Sequence, residues 1–210
     1  MSHRFLVDAV DGDRVTFSAE QAHQLRHVLR LRSGDRVRVF DGIEPGDLLV
    51  ELGPSNDARV IGRCTQAAEP RTRLIAYLAL LQREKFEPVL QKLTELGVSA
   101  IIPVLTTRGL VRQGPDERRL QRWRAIVREA VEQCGRGRLP ALYEAEPFRH
   151  AVTRAEGCVL LAYERERQLG LRQALEARPA TVSLFVGPEG GFTREEAQLA
   201  GEAGAVPITL

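Results

Sequence analysis

Four apolar runs constrain this chain most: LIAYLALL (74–81), SAIIPV (99–104), GCVLLAY (157–163) and TVSLFVG (181–187). Continuous apolar runs of this length are the pattern of strands covered on both faces, not of strands with one wet side. Helical periodicity separates them. Residues 86–96 place Phe86, Val89, Leu90, Leu93 and Leu96 on one face and stop at Gly97. A long helix near 116–134 buries Leu120, Trp123, Val127, Ala130, Val131 and Cys134. A helical segment falls around 168–177, and Thr193 with Glu196 forms a capping box for a helix running to about 203. Strands alternating with helices predict a parallel sheet with helices on both faces. The last run, AVPITL, is a further apolar strand that needs a cover. A partner subunit or a continuation of the natural chain would supply one, and composition does not choose between them.

Residues 3–69 have a different texture. Short β-like runs, RFLVDAV, RVRVF (36–40), DLLVEL (47–52) and ARVIGRC (58–64), are divided by turn-formers such as Asp11-Gly12-Asp13 and Asp41-Gly42. One helix interrupts them, with Ser18 as cap, Gln21 closing a capping box, and Ala22, Leu25, Val28 and Leu29 as its apolar stripe. This predicts a small barrel. His23 and His27 sit one turn apart, but no third ligand stands out, and polar surface histidines are the better account.

Composition excludes several classes. No apolar stretch approaches the ~20 residues of a membrane span. Charges break the short apolar run at the start, which is unlike a signal peptide. The three cysteines, Cys64, Cys134 and Cys158, suggest neither a disulfide framework nor a zinc site, so a cytoplasmic setting is expected. Net charge is only +2, yet nine arginines stand against four acids between Arg108 and Arg138. That excess suits either a phosphate backbone or a solvated helix face.

The chemistry-bearing stretches begin with LFVGPEGGFT (184–193), glycines at the end of a buried strand. The loop lacks the Lys-Ser/Thr of a phosphate-binding P-loop and the spacing of a dinucleotide fingerprint. Its position matters more, because ligands of open α/β sheets bind beyond the carboxyl ends of strands. Glu189 would repel a bare polyphosphate and suits a neutral or cationic ligand. A structural turn is the alternative. In VEQCGRGRLP (131–140) a glycine stop projects Arg136 and Arg138 from a helix end, where arginines clamp phosphate, stabilise developing negative charge or complement the helix dipole. QREKFEPVLQKLTELGV (82–98) holds both lysines.

Taken together, REKFEPVLQKLTELGV, TTRGLV (106–111), EAVEQCGRGRLP and FVGPEGGFTREE resemble the ribosomal RNA small subunit methyltransferase E family, of the SPOUT class. RFLVDAV and HQLRHVLRLRSGDRVRVFDG match that family's opening, so the resemblance runs along essentially the whole chain. It implies an α/β fold with a PUA-like β-barrel over residues 1–70 and a SPOUT methyltransferase domain over 71–210. It also implies a C-terminal trefoil knot whose last segment lies beyond Leu210, and a homodimer. The implied reaction is S-adenosylmethionine-dependent methylation of N3 of a uridine in small-subunit (16S) ribosomal RNA, naked or in the assembled subunit, with no metal and no membrane partner. By family analogy, Leu161, Gly187, Pro188, Glu189, Gly190, Gly191 and Leu210 hold the methyl donor. Arg136 acts at the target base, and Arg4, Arg30, Arg108, Arg112, Arg136 and Arg138 contact RNA. Thr107 stands where many relatives carry a glutamate and is given no role. Competing expectations are a non-catalytic RNA-binding module and a nucleotide-dependent phosphotransferase, the latter weakened by the absent P-loop lysine.

Overall fold

The computed structural model describes residues 3–43, 46–64 and 69–210. Contacts divide the chain into two units: residues 1–69 with 128–139, and residues 70–127 with 140–210. The last turns of the long helix and the loop after them therefore belong with the N-terminal unit, although the change of sequence texture falls at residue 70.

In the first unit, alternation builds a six-stranded sheet. Its strands are β1 (Arg4–Leu6), β2 (Val10–Asp11), β3 (Arg14–Thr16), β4 (Arg36–Phe40), β5 (Asp47–Leu52) and β6 (Asp57–Cys64), in the order β1-β4-β5-β6-β3-β2. β1 pairs with β4 in parallel, and the remaining pairings are antiparallel. Phe5, Val7, Val15, Val37, Val39 and Val50 close over a shared core with Leu25. α1 (Ala19–His23) starts at the expected Ser18–Gln21 capping box. The helix then widens into a π-helical turn over Gln24–Val28. That extra residue per turn shifts the stripe, so Val28, expected inside, is exposed. β3 is a strand that the sequence pattern did not announce. The rings of His23 and His27 stack 4.6 Å apart, and no metal-ligating cluster is found among the described residues.

The second unit carries β7 (Arg73–Ala79), α2 (Arg83–Glu95), β8 (Ala100–Leu105), α3 (Glu117–Cys134, its last turns in the first unit), β9 (Ala141–Leu142) and β10 (Glu146–Pro147). It continues through α4 (Phe148–Arg154), β11 (Cys158–Ala162), α5 (Leu171–Ala174), β12 (Thr181–Val186), α6 (Arg194–Glu202) and β13 (Val206–Ile208). The strand order is β10-β8-β7-β12-β11-β13, with β9 also on β8, and every pairing is parallel. Both faces of the apolar strands are covered. Ala76, Leu78 and Ile101 pack with Phe86, Leu90, Leu120 and Trp123 of α2 and α3. On the other face Ile75, Tyr77, Ile102, Leu161 and Phe185 pack with Phe148 of α4 and Ala200 of α6. Full burial of such side chains stabilises by about 1.5–3 kcal/mol each.

Two further expected core residues are corrected. Leu96 is 76% exposed, because the chain reverses at Gly97 (φ +96°) and Val98 fills the slot instead. Cys134 is exposed, since the apolar stripe of α3 makes its last core contact at Val131, against Leu6 and Phe40. The helix expected at 168–177 is one turn, Leu171–Ala174.

Candidate active site at the carboxyl edge of the parallel sheet

Because all strands of the second sheet run the same way, their carboxyl ends share one edge. The segments after β12, β11 and β13, three neighbouring strands, are Gly187–Gly191, Tyr163–Glu164 and Thr209–Leu210. Gly191 is in the left-handed region (φ +65°), and its amide donates to Pro188 O at 2.8 Å. A Cβ on Gly191 would overlap the Glu164 carboxylate, which lies directly against the glycine backbone. Only glycine fits there, for conformation and for space together. Pro188 is buried, whereas Glu189 and Gly190 are exposed. Leu161 is fully buried within the sheet core, so its side chain supports the edge from beneath. Leu210 follows β13 and is 79% exposed.

Two further loops join this edge. The Lys85 ammonium donates to Glu189 Oε1 at 2.8 Å, linking the start of α2 to the glycine loop. That hydrogen bond, with help from the local backbone, holds the Glu189 carboxyl below its ordinary range. From the loop after β8, Arg108 Nη1 donates to Gly190 O at 2.9 Å and to Phe192 O at 3.4 Å. Arg112 Nη1 donates to Thr107 O at 2.7 Å. The Thr193–Glu196 capping box is formed as the sequence predicts, but Glu196 does more than cap: its other oxygen accepts from Thr107 N at 2.8 Å. Loops after β7, β8 and β12 are thus tied into one rim. A crevice of about 340 Å³ at the opposite, amino edge of β7 and β8 shares none of these residues.

The arginines assigned to RNA divide sharply. Arg4, expected at a surface, is internal: its guanidinium bonds Asp47 at 2.9–3.0 Å, donates to Val131 O at 2.8 Å and to Arg136 O, and lies 3.5 Å over the Phe40 ring. Arg136 is also buried, paired with Glu69 at 2.9 Å. Burial pushes the Glu69 carboxyl up, but the bonds and charge of Arg136 and the amides of Arg138 and Gly137 outweigh it and leave the group below its usual range. Arg30, Arg108, Arg112 and Arg138 are exposed. The basic run also finds acids outside itself: Arg122 pairs with Glu87 and Arg128 with Asp8, as Arg136 does with Glu69. The excess counted along the sequence therefore shrinks in space.

A family model described as an RNA methyltransferase domain matches residues 68–210. The ribosomal RNA small subunit methyltransferase E of a Synechocystis species is 32% identical, with 100% of this chain and 71% of that protein covered. The chain belongs to the ribosomal RNA small subunit methyltransferase E family. The Bacillus subtilis member is 28% identical over 93% of this chain and 82% of its own length. Among solved structures, the Neisseria gonorrhoeae ribosomal RNA small subunit methyltransferase E bound to S-adenosylmethionine matches with a TM-score of 0.87 at 28% identity. It covers 100% of this chain and 89% of that one. A Legionella pneumophila putative methyltransferase in complex with the same cofactor matches at 0.86 and 26% identity, with the same coverage of both chains.

Sequence reasoning located the glycine loop and the capping box but missed Glu164, the Lys85–Glu189 link and the second role of Glu196. Lys85 and Glu189 are 104 residues apart, and no local pattern pairs them. The available signal for Glu196 was its place three residues after a cap at a sheet's ligand edge. No helix among the described residues is long and apolar enough to cross a membrane.

Proposed function

We propose that this chain transfers the methyl group of S-adenosylmethionine to N3 of a uridine in small-subunit ribosomal RNA. The carrying observation is the convergence of Gly187–Gly191, Glu164 and Leu210 at the ends of three adjacent parallel strands, in a chain of this family.

The residues present fit the donor. The Glu164 carboxylate, packed against Gly191, favours a ligand carrying positive charge, and the neighbouring Glu189 carboxylate is paired with Lys85. We assign the donor to the backbone of Gly187, Pro188, Glu189, Gly190 and Gly191, with Leu161 beneath and Leu210 beside it. When bound, the sulfonium supplies an electrophilic methyl group. The protein's share is to hold that group in line with the base and to keep water away, since positioning supplies much of the acceleration of such transfers. The uridine imide nitrogen becomes nucleophilic once its proton leaves, and a guanidinium beside the base carbonyls steadies the resulting anion. We propose Arg136 for that part, with RNA taking the place of Glu69 on its guanidinium. Arg30, Arg108, Arg112 and Arg138, all exposed, are proposed as phosphate contacts.

The first-unit sheet is proposed as a PUA-like barrel that adds RNA affinity, the second as a SPOUT fold with a trefoil knot. A homodimer acting on ribosomal RNA or the assembled small subunit in the cytoplasm completes the proposal, supported by the family and by the exposed Val206 and Leu210 at the edge strand. Incubation of the protein with labelled S-adenosylmethionine and unmethylated small subunits, followed by nucleoside analysis, tests the activity. N3-methyluridine is the expected product, and its absence refutes the assignment.

A further inference from the structure

We propose that Glu196 is a positioning residue of the donor site: its carboxylate clasps segment 106–111 to the glycine loop, and Arg108 closes the clasp from the other side. The proposal rests on the donor lying against residues 187–191.

A capping-box glutamate normally turns one oxygen back to the cap amide and leaves the other to water. Glu196 is only 7% exposed, and both oxygens are taken by protein amides. Oε2 accepts from Thr193 N at 2.9 Å, and Oε1 accepts from Thr107 N, 89 residues away, at 2.8 Å. These are charge-assisted bonds in a shielded place, the stronger class of hydrogen bond. Residue 107 is also held at its carbonyl by Arg112. With both its polar groups fixed, the backbone at 107 is a rigid base for the next side chain. Arg108 reaches back from it to Gly190 O and Phe192 O.

The two contacts act in opposite directions along the chain. Glu196 lies after the glycine loop and grips segment 106–111, while Arg108 lies in that segment and grips the glycine loop. Gly190 is the residue between Glu189 and the left-handed Gly191, so a bond to its carbonyl restrains the peptide that must present its face to the donor. Releasing either arm leaves the loop to be ordered by the ligand itself, which weakens binding without touching the reacting atoms.

Three variants separate this role from plain stability. Thr193→Ala removes the cap hydroxyl but keeps both amides on Glu196, so it lowers the melting temperature and leaves segment 106–111 protected. Glu196→Ala removes both acceptors, and Arg108→Ala removes the return arm. Hydrogen exchange on the donor-free chain is expected to quicken at 106–111 in Glu196→Ala and at 187–193 in Arg108→Ala. Donor KM is expected to rise about tenfold in both, with kcat changed much less. Unchanged exchange at 187–193 in Arg108→Ala, or equal donor KM in Glu196→Ala and Thr193→Ala, overturns the clasp. A wild-type chain that exchanges as expected but binds no donor instead refutes the donor assignment and leaves the clasp standing.

Discussion

Arg4→Ala is expected to destabilise the first unit severely. The guanidinium and the Asp47 carboxylate have side chains only 8% and 11% exposed. Removing Arg4 leaves that carboxylate buried without its partner, and also strips Val131 O near the end of α3. Breaking a buried ion pair from one side costs about 3–5 kcal/mol, a large part of the roughly 5–15 kcal/mol that keeps a domain folded. The Phe40 ring loses its cation as well, but that contribution belongs to the same side chain and is not added again. The assay should be far-UV circular dichroism in urea. The single tryptophan, Trp123, lies in the second unit, so its fluorescence midpoint should move less. Arg4→Met with Asp47→Leu should recover part of the loss by removing both charges, and not all of it, because Val131 O keeps only the weak Cys134 Sγ contact at 3.9 Å. A loss below about 1 kcal/mol in Arg4→Ala, accompanied by weaker RNA binding, would put Arg4 at the surface and refute this account.

Other substitutions follow the same logic. Burial pushes the Glu132 carboxyl up, against the pull of the Leu6 amide and of Arg128 and Arg4, so the folded chain keeps this proton to higher pH than the unfolded one. Its contribution therefore falls as pH rises from about 4 through the folded value, and Glu132→Gln should gain melting temperature on wild type between about pH 4 and 7. Gly97→Ala should cost at least about 1 kcal/mol in urea titrations, because the position is left-handed and the new methyl group would strike Pro70. Lys85→Met should weaken donor binding a few-fold by calorimetry, and in about 1 M salt the difference from wild type should nearly vanish, since the Lys85–Glu189 pair is exposed.

Local patterns made much of this protein legible. Apolar runs bounded by glycine and polar residues marked β7, β8, β11, β12 and β13, and their buried character on both sides marked the sheet as parallel. Capping boxes at Ser18 and Thr193 were visible because both partners of a cap lie within four residues. The π-helical turn at Gln24–Val28 escaped notice, as did β3, because neither departs from ordinary composition. Helical spacing misplaced Leu96 and Cys134 for a shared reason: periodicity describes the middle of a helix, whereas burial at its ends depends on what the chain meets next.

The sequence by itself determined the main alternation of strands and helices after residue 71, the glycine loop at a strand's carboxyl end and the family, since all of these are carried by contiguous residues. Only the tertiary structure decided which charges are available. Arg136 reads like Arg112 and Arg138 in the basic run, and Arg4 like any charge near a terminus, yet Glu69 and Asp47 bury these two, and nothing within a few residues announces it. The same holds for Glu196, whose helix cap is local while its bond to Thr107 spans 89 residues. Long-range pairing of polar groups is set by where the backbone brings them, and that is a property of the folded chain.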